Sequence, residues 1–117
     1  MPNPVVHFEV VGKDGKQLQD FYSGIFGWKI QADNPMNYGI ASADDTGGGI
    51  GPSDGQTQQV TVYIAVDDPT AYLKKAEAAG GRTVMPETEI PGMVVLAQFA
   101  DPEGNVVGLV KAGYPGQ

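Results

Sequence analysis

The chain has 117 residues, with 14 acidic and 7 basic side chains and a formal charge of −7, so its field repels nucleic-acid phosphates and anionic lipid headgroups. It has no cysteine, which excludes disulfides, thiolate metal centres and a cysteine nucleophile. A hydrophobic content of 41% and a charged content of 18% belong to a chain that folds, and its length fits one domain, residues 1–117.

The N-terminus, Met1-Pro2-Asn3-Pro4, has no basic region followed by an apolar segment, and no stretch approaches the roughly 20 apolar residues that span a bilayer. The expectation is a cytoplasmic protein that meets neither membrane nor nucleic acid. Val5 to Val11 reads as a strand, with His7 and Glu9 on one face and Val6, Phe8 and Val10 on the other. After the turn Gly12-Lys13-Asp14-Gly15, Leu18, Phe21, Tyr22 and Ile25 recur at the spacing of an amphipathic helix that stops at Gly27. Trp28-Lys29-Ile30 opens a second strand and Asn37 to Ala41 a third. Gly47 to Gly51 with Pro52 is a bulged edge strand or a loop, because glycine weakens a strand unless backbone or ligand approaches closely. Asp44-Asp45 and Asp67-Asp68 read as turn formers.

From Gln59 the plan starts again. Val60 to Val66 is a strand, Asp67-Asp68-Pro69 leads into a helix from about Thr70 to Ala79, and Gly80-Gly81 ends it. Strands are predicted at Arg82 to Val84, Met93 to Phe99 and Val106 to Val110, the last after the turn Asp101 to Asn105, with an irregular tail from Gly113 to Gln117. A gap-free shift of 54 residues lays the first strand on the fifth, the first helix on the second and Gly27 on Gly81. The chain therefore reads as an α+β protein of two βαβββ repeats, about 4–56 and 58–112.

Three patterns carry a resemblance. Phe21-Tyr22 followed by Ile25-Phe26-Gly27-Trp28, then Val62 to Asp68, then Phe99-Ala100-Asp101-Pro102-Glu103-Gly104-Asn105 are similar to the first-helix ending, second-repeat opening and last hairpin of the vicinal oxygen chelate superfamily, the glyoxalase/bleomycin-resistance/dioxygenase proteins. The resemblance implies curved mixed sheets around a concave cup, a small-molecule ligand and a homodimer. In metal-using members it also implies four ligands, on the first, fourth, fifth and eighth strands. His7 fills the first position. The 54-residue shift carries it to Thr61, a poor ligand for divalent metals; the eighth-strand position falls on Gly108, and the fourth on Gly49 or Ile50. One ligand of four is retained, so no metal or other cofactor is assigned.

The expected site residues are His7 and Glu9 as an acid–base or ligand-contact pair, with Thr61, Tyr63, Gln98 and Gly108 lining the ligand. Trp28 and Tyr38 read as packing and rim aromatics. The glycine run lacks the Lys-Ser/Thr and helix start of a phosphate cradle. The leading reading is a protein that binds a small aromatic or amphipathic molecule without the family's metal. The alternatives are an enzyme, a lyase, isomerase or dioxygenase (lactoylglutathione lyase-like or dioxygenase-like), working through an atypical metal or through acid–base chemistry of His7 and Glu9, and a dimerisation or regulatory module.

Overall fold

A computed structural model describes residues 2–42, 47–53 and 58–113. Asp44-Asp45 and the tail from Tyr114 lie outside the described residues. The chain divides into two compact units, residues 6–61 and residues 62–117 together with 1–5.

The first unit holds β1 (Val5–Gly12, its first residue counted with the other unit), α1 (Gly15–Phe26), β2 (Lys29–Gln31), β3 (Gly39–Ser42) and β4 (Gly48–Pro52). Its strands are ordered β2-β3-β4-β1, with β4 parallel to β1 and the other pairs antiparallel. The second holds β5 (Gln59–Val66, its residues up to Thr61 counted with the first unit), α2 (Pro69–Ala78), β6 (Arg82–Ile90), β7 (Val94–Ala100) and β8 (Val106–Lys111), ordered β6-β7-β8-β5 with β8 parallel to β5. Each half thus repeats one plan. A parallel pair needs a long crossover, and the helix and the antiparallel strands supply it.

The repeat extends to details of local chemistry. The bounds of β1 and β5 differ by 54 residues at both ends. Asp14 and Asp68 are the two N-caps, accepting from the backbone N–H groups of Gln17 and Ala71 at 3.0 and 3.2 Å, which satisfies a donor that each helix start leaves open. The helix ends differ. Gly27 closes α1 in the left-handed conformation (φ 73°), but the left-handed residue after α2 is Gly80 (φ 103°), while Gly81 is needed because a Cβ there would lie 2.5 Å from the Ala100 carbonyl oxygen.

The glycine strand β4 forms because its missing side chains are replaced by rings from neighbours. A Cβ on Gly48 would collide with the Phe8 ring, and one on Gly49 with the ring and hydroxyl of Tyr38. Phe8 in turn packs on Trp28 at 5.4 Å between ring centroids, and Trp28 on Tyr22 at 5.9 Å and Phe26 at 5.4 Å. The packing role expected of Trp28 is what the structure shows.

Strand β6 runs past the expected end at Val84, through Pro86. It lies at the end of its strand order, where a residue without N–H is tolerated, and its pairing slips between Thr83 and Met85 and again between Met85 and Thr88. The core of the second unit is Val66, Leu73, Ala97 and Leu109, with Ile64, Tyr72 and Phe99 against it. Helix α1 departs from its apolar pattern: Phe21 and Ile25 are 55% and 58% exposed, whereas Gly15 and the polar Gln19 are buried. Gln19 is admitted because its Nε2 donates to the carbonyls of Asn37 (2.9 Å) and Ile50 (2.7 Å). No helix among the described residues is long and apolar enough to cross a membrane.

Candidate functional site

Strand alternation turns His7 and Glu9 to the face of β1 opposite Phe8, and Glu9 stands in register with Gly49. Into the space above Gly49 comes Tyr38, from the segment just before β3. Its hydroxyl donates to Glu9 Oε2 at 2.9 Å and lies 2.9 Å from His7 Nε2. The His7 and Tyr38 rings are near parallel, 20° apart with centroids 6.3 Å apart. All three residues are half-buried. Burial holds the His7 imidazole below its ordinary pKa of 6.5, because a charged ring there loses hydration.

The segment that delivers Tyr38 is built with redundancy. Asn34 N–H donates to the Ala32 carbonyl at 2.9 Å and Asn37 N–H to the Asn34 carbonyl at 3.0 Å. The Asn34 side chain clasps Tyr38 at both backbone groups: Oδ1 accepts from its N–H at 3.0 Å and Nδ2 donates to its carbonyl at 2.7 Å. Oδ1 also accepts from Met36 N–H at 3.1 Å. Asn37 takes the left-handed conformation (φ 54°), which asparagine tolerates better than most residues, and its carbonyl is held by Gln19.

In the second unit the same register positions carry a different solution. Tyr63 on β5, Gly108 on β8 and Gln98 on β7 lie side by side, since Tyr63 pairs with Gly108 and Gly108 with Gln98. The Tyr63 ring fills the space over Gly108, where a Cβ would collide with it, and Gln98 Nε2 donates to the Tyr63 hydroxyl at 3.0 Å. Tyr63 is 6% exposed. Thr61, in the first unit, is buried as well.

Five of the six expected residues thus fall into two groups, His7 with Glu9 through Tyr38, and Tyr63 with Gln98 over Gly108, while the sixth, Thr61, is buried on β5. The structure changes the reading of Tyr38, which is no rim aromatic but the bridge between His7 and Glu9. Asn34 was not singled out from the sequence. Its signal is Asn34-Pro35, a turn-initiating pair whose asparagine accepts from backbone N–H groups further on.

The four positions of the family's metal ligands can be tested against these contacts. Parallel register settles the fourth-strand position on Gly49, the partner of Glu9 as Gly108 is the partner of Tyr63. Neither glycine has a donor, and Tyr38 and Tyr63 occupy the volume that a ligating side chain would need. Thr61 offers only a buried hydroxyl, and no three His, Cys, Asp or Glu side chains gather among the described residues. Imidazole alone is not a divalent-metal donor set, so these residues do not fit the group. Two open grooves in the first unit, of about 650 and 710 Å³, lie along α1 and are lined by neither His7 nor Glu9.

Comparison with known proteins agrees with this architecture. The sequence profile of the Glyoxalase-like domain matches residues 7–110. The anthracycline biosynthesis protein DnrV of Streptomyces peucetius is 27% identical over 132 residues, covering 96% of this chain and 48% of that protein. CFP32 of Mycobacterium bovis is 31% identical over 110 residues, covering 85% of this chain and 42% of that protein. This chain spans about half the length of these curated relatives. A glyoxalase/bleomycin resistance protein/dioxygenase superfamily member from Vibrio splendidus 12B01 superposes with a TM-score of 0.63 at 14% identity, over 94% of this chain and 99% of that one, a likeness of fold alone. Two βαβββ halves of matching register, together with the profile match over nearly the whole chain, establish that this protein belongs to the glyoxalase-like domain family.

Proposed function

We propose that this protein binds a small organic molecule against the His7–Tyr38–Glu9 face of β1, without the family's metal chemistry. The observation that carries this reading is the pair of tyrosines seated over Gly49 and Gly108: the positions of two expected ligands are given to aromatic rings. A half-buried imidazole, phenol and carboxylate on one face offer apolar surface together with oriented polar atoms, the usual make-up of a small-molecule contact. Similarity to a protein named for anthracycline biosynthesis is in keeping with a planar, aromatic ligand. The test is a thermal-shift screen of planar natural products and metabolites, followed by His7→Ala. Hits whose shift disappears in the variant support the reading; a broad panel without one hit removes it.

A second reading is favoured by one observation, the burial that keeps His7 as a neutral base beside a phenol and a carboxylate. In that case the group works as an acid–base catalyst. Exchange of an acidic C–H proton of a bound ligand with deuterated water, lost in Glu9→Gln and in His7→Ala, distinguishes it from binding alone.

A further inference from the structure

Resting on the ligand reading above, we propose that the bound molecule is a planar aromatic acid, its ring lying on Ile40 beside Tyr38 and its anionic group held by Lys29.

Strand register extends the face of Glu9 across the first unit. Glu9 pairs with Gly49, Gly49 with Ile40 and Ile40 with Gln31, so one row of side-chain positions runs from β1 through β4 and β3 to β2. Lys29 and Ser42 pair two residues further along β2 and β3 and share that face. The opposite face belongs to α1: a Cβ on Gly39 would lie 2.5 Å from Ile30 Cγ2 and 2.9 Å from Gln19 Nε2. Lys29, Gln31, Ile40 and Ser42 are all exposed.

The two units use this row differently. In the second the matching row is Tyr63, Gly108, Gln98 and Met85, and Gln98 Nε2 donates to the tyrosine hydroxyl at 3.0 Å. In the first the position of Gln98 holds Ile40, which has no polar side-chain atom and is 43% exposed. A β-branched side chain next to the position that Tyr38 covers gives apolar surface with few rotamers to lose, a floor suited to a flat ring.

Charge sets the orientation of the ligand. The Lys29 ammonium makes no ion pair with a described residue. Glu9 stands three strands away on the same face, about 14 Å at the usual spacing. That exceeds the screening length of about 8 Å at physiological ionic strength, so the ammonium governs the β2 end of the face and the carboxylate the β1 end. A formal charge of −7 repels an anion from the chain as a whole, and Lys29 offsets it locally. From the Tyr38 ring over β4 to Lys29 on β2 is two strand spacings, about 10 Å, the length of a bicyclic aromatic acid.

The tag-free chain is titrated at neutral pH with naphthoate, its neutral amide and naphthylmethylamine, and the ring signals of His7, the single histidine, are followed by NMR. The expected result is movement of the His7 signals and naphthoate binding about fivefold more tightly than the amide, the scale of an exposed ion pair. Lys29→Gln brings that ratio to about one and Lys29→Arg keeps it. Ile40→Thr weakens acid and amide alike, about threefold. A lysine that only guarded the edge strand β2 against pairing would leave the ratio unchanged in Lys29→Gln. Three results overturn the proposal while the ligand reading stands: an amide or amine that moves His7 and binds as tightly as the acid, a ratio unchanged in Lys29→Gln, or affinities unchanged in Ile40→Thr. If none of the three compounds moves His7, the ligand reading falls and the proposal with it.

Discussion

Replacing Gly108 by alanine tests whether the tyrosine rings over the glycines are part of the packed fold. The added methyl would enter the Tyr63 ring, which is 6% exposed and carried on the middle of β5, so neither the ring nor the backbone has room to retreat. Overpacking of this kind costs about 1–3 kcal/mol, and disturbing the Gln98–Tyr63 hydrogen bond adds about 1 kcal/mol. Against this stands about 0.5–1 kcal/mol gained because alanine has less chain freedom to lose than glycine. The net expectation is a loss of about 1–3.5 kcal/mol. Gly49→Ala meets a similar collision, but the Tyr38 side chain is half-buried and can turn outward, so the loss is about 1–2 kcal/mol, chiefly the contacts of its hydroxyl with His7 and Glu9. Gly24→Ala, in the interior of α1 with no atom near the new methyl, should gain about 0.5–1 kcal/mol. Urea denaturation followed by far-ultraviolet circular dichroism gives all three. Finding Gly108→Ala as stable as the parent, or less damaging than Gly49→Ala, would refute the reasoning.

Other perturbations give separate readouts. Gln19→Leu strips the donors from the Asn37 and Ile50 carbonyls and should cost about 2–3 kcal/mol by the same denaturation; a change under about 0.5 kcal/mol would show that the amide is dispensable. Because His7 has a folded pKa below 6.5, the unfolded chain takes up the proton first as pH falls. Its contribution to stability is therefore full above pH 6.5 and declines below it until the folded pKa is reached, with a slope of at most about 1.4 kcal/mol per pH unit. Stability curves between pH 8 and 5 should show this decline and His7→Gln should flatten it; an unchanged slope in the variant would assign the decline to other groups. Asp101 is also held below its ordinary pKa, but by stabilisation of its charged form, first by the Asn105 side-chain amide and then by the backbone N–H groups of the turn, so its contribution is present at neutral pH and lost as pH falls through that lowered value. Asn105→Ala should raise the Asp101 pKa in a carboxylate NMR titration, and no movement would contradict the assigned cause.

Much of the repeat was legible because it is written in local chemistry. Asp14 and Asp68 stand where helix starts need acceptors, Gly27 and Gly80 where chains must leave helices, and the period-two pattern of β1 put His7 opposite Phe8 before any contact was known. The extent of β6 was not legible, because Pro86 reads as a strand end until its place at the end of the strand order is known. The exposed Phe21 and Ile25 and the buried Gln19 on α1 reverse the apolar pattern, since a helix face is chosen by what packs on it and by whether a buried amide finds carbonyls.

The division is sharpest at the site. The sequence by itself determined that this chain has one histidine and an α+β repeat, because composition, period and spacing are properties of neighbours along the chain, and the family resemblance put Gly108 at one ligand position and Gly49 or Ile50 at another. Only the tertiary structure decided that Tyr38 closes the space over Gly49 and joins His7 to Glu9, 31 and 29 residues away. Contacts at that separation depend on strand register and on the path of the Asn34–Tyr38 segment, and nothing in the spacing of the three residues encodes either.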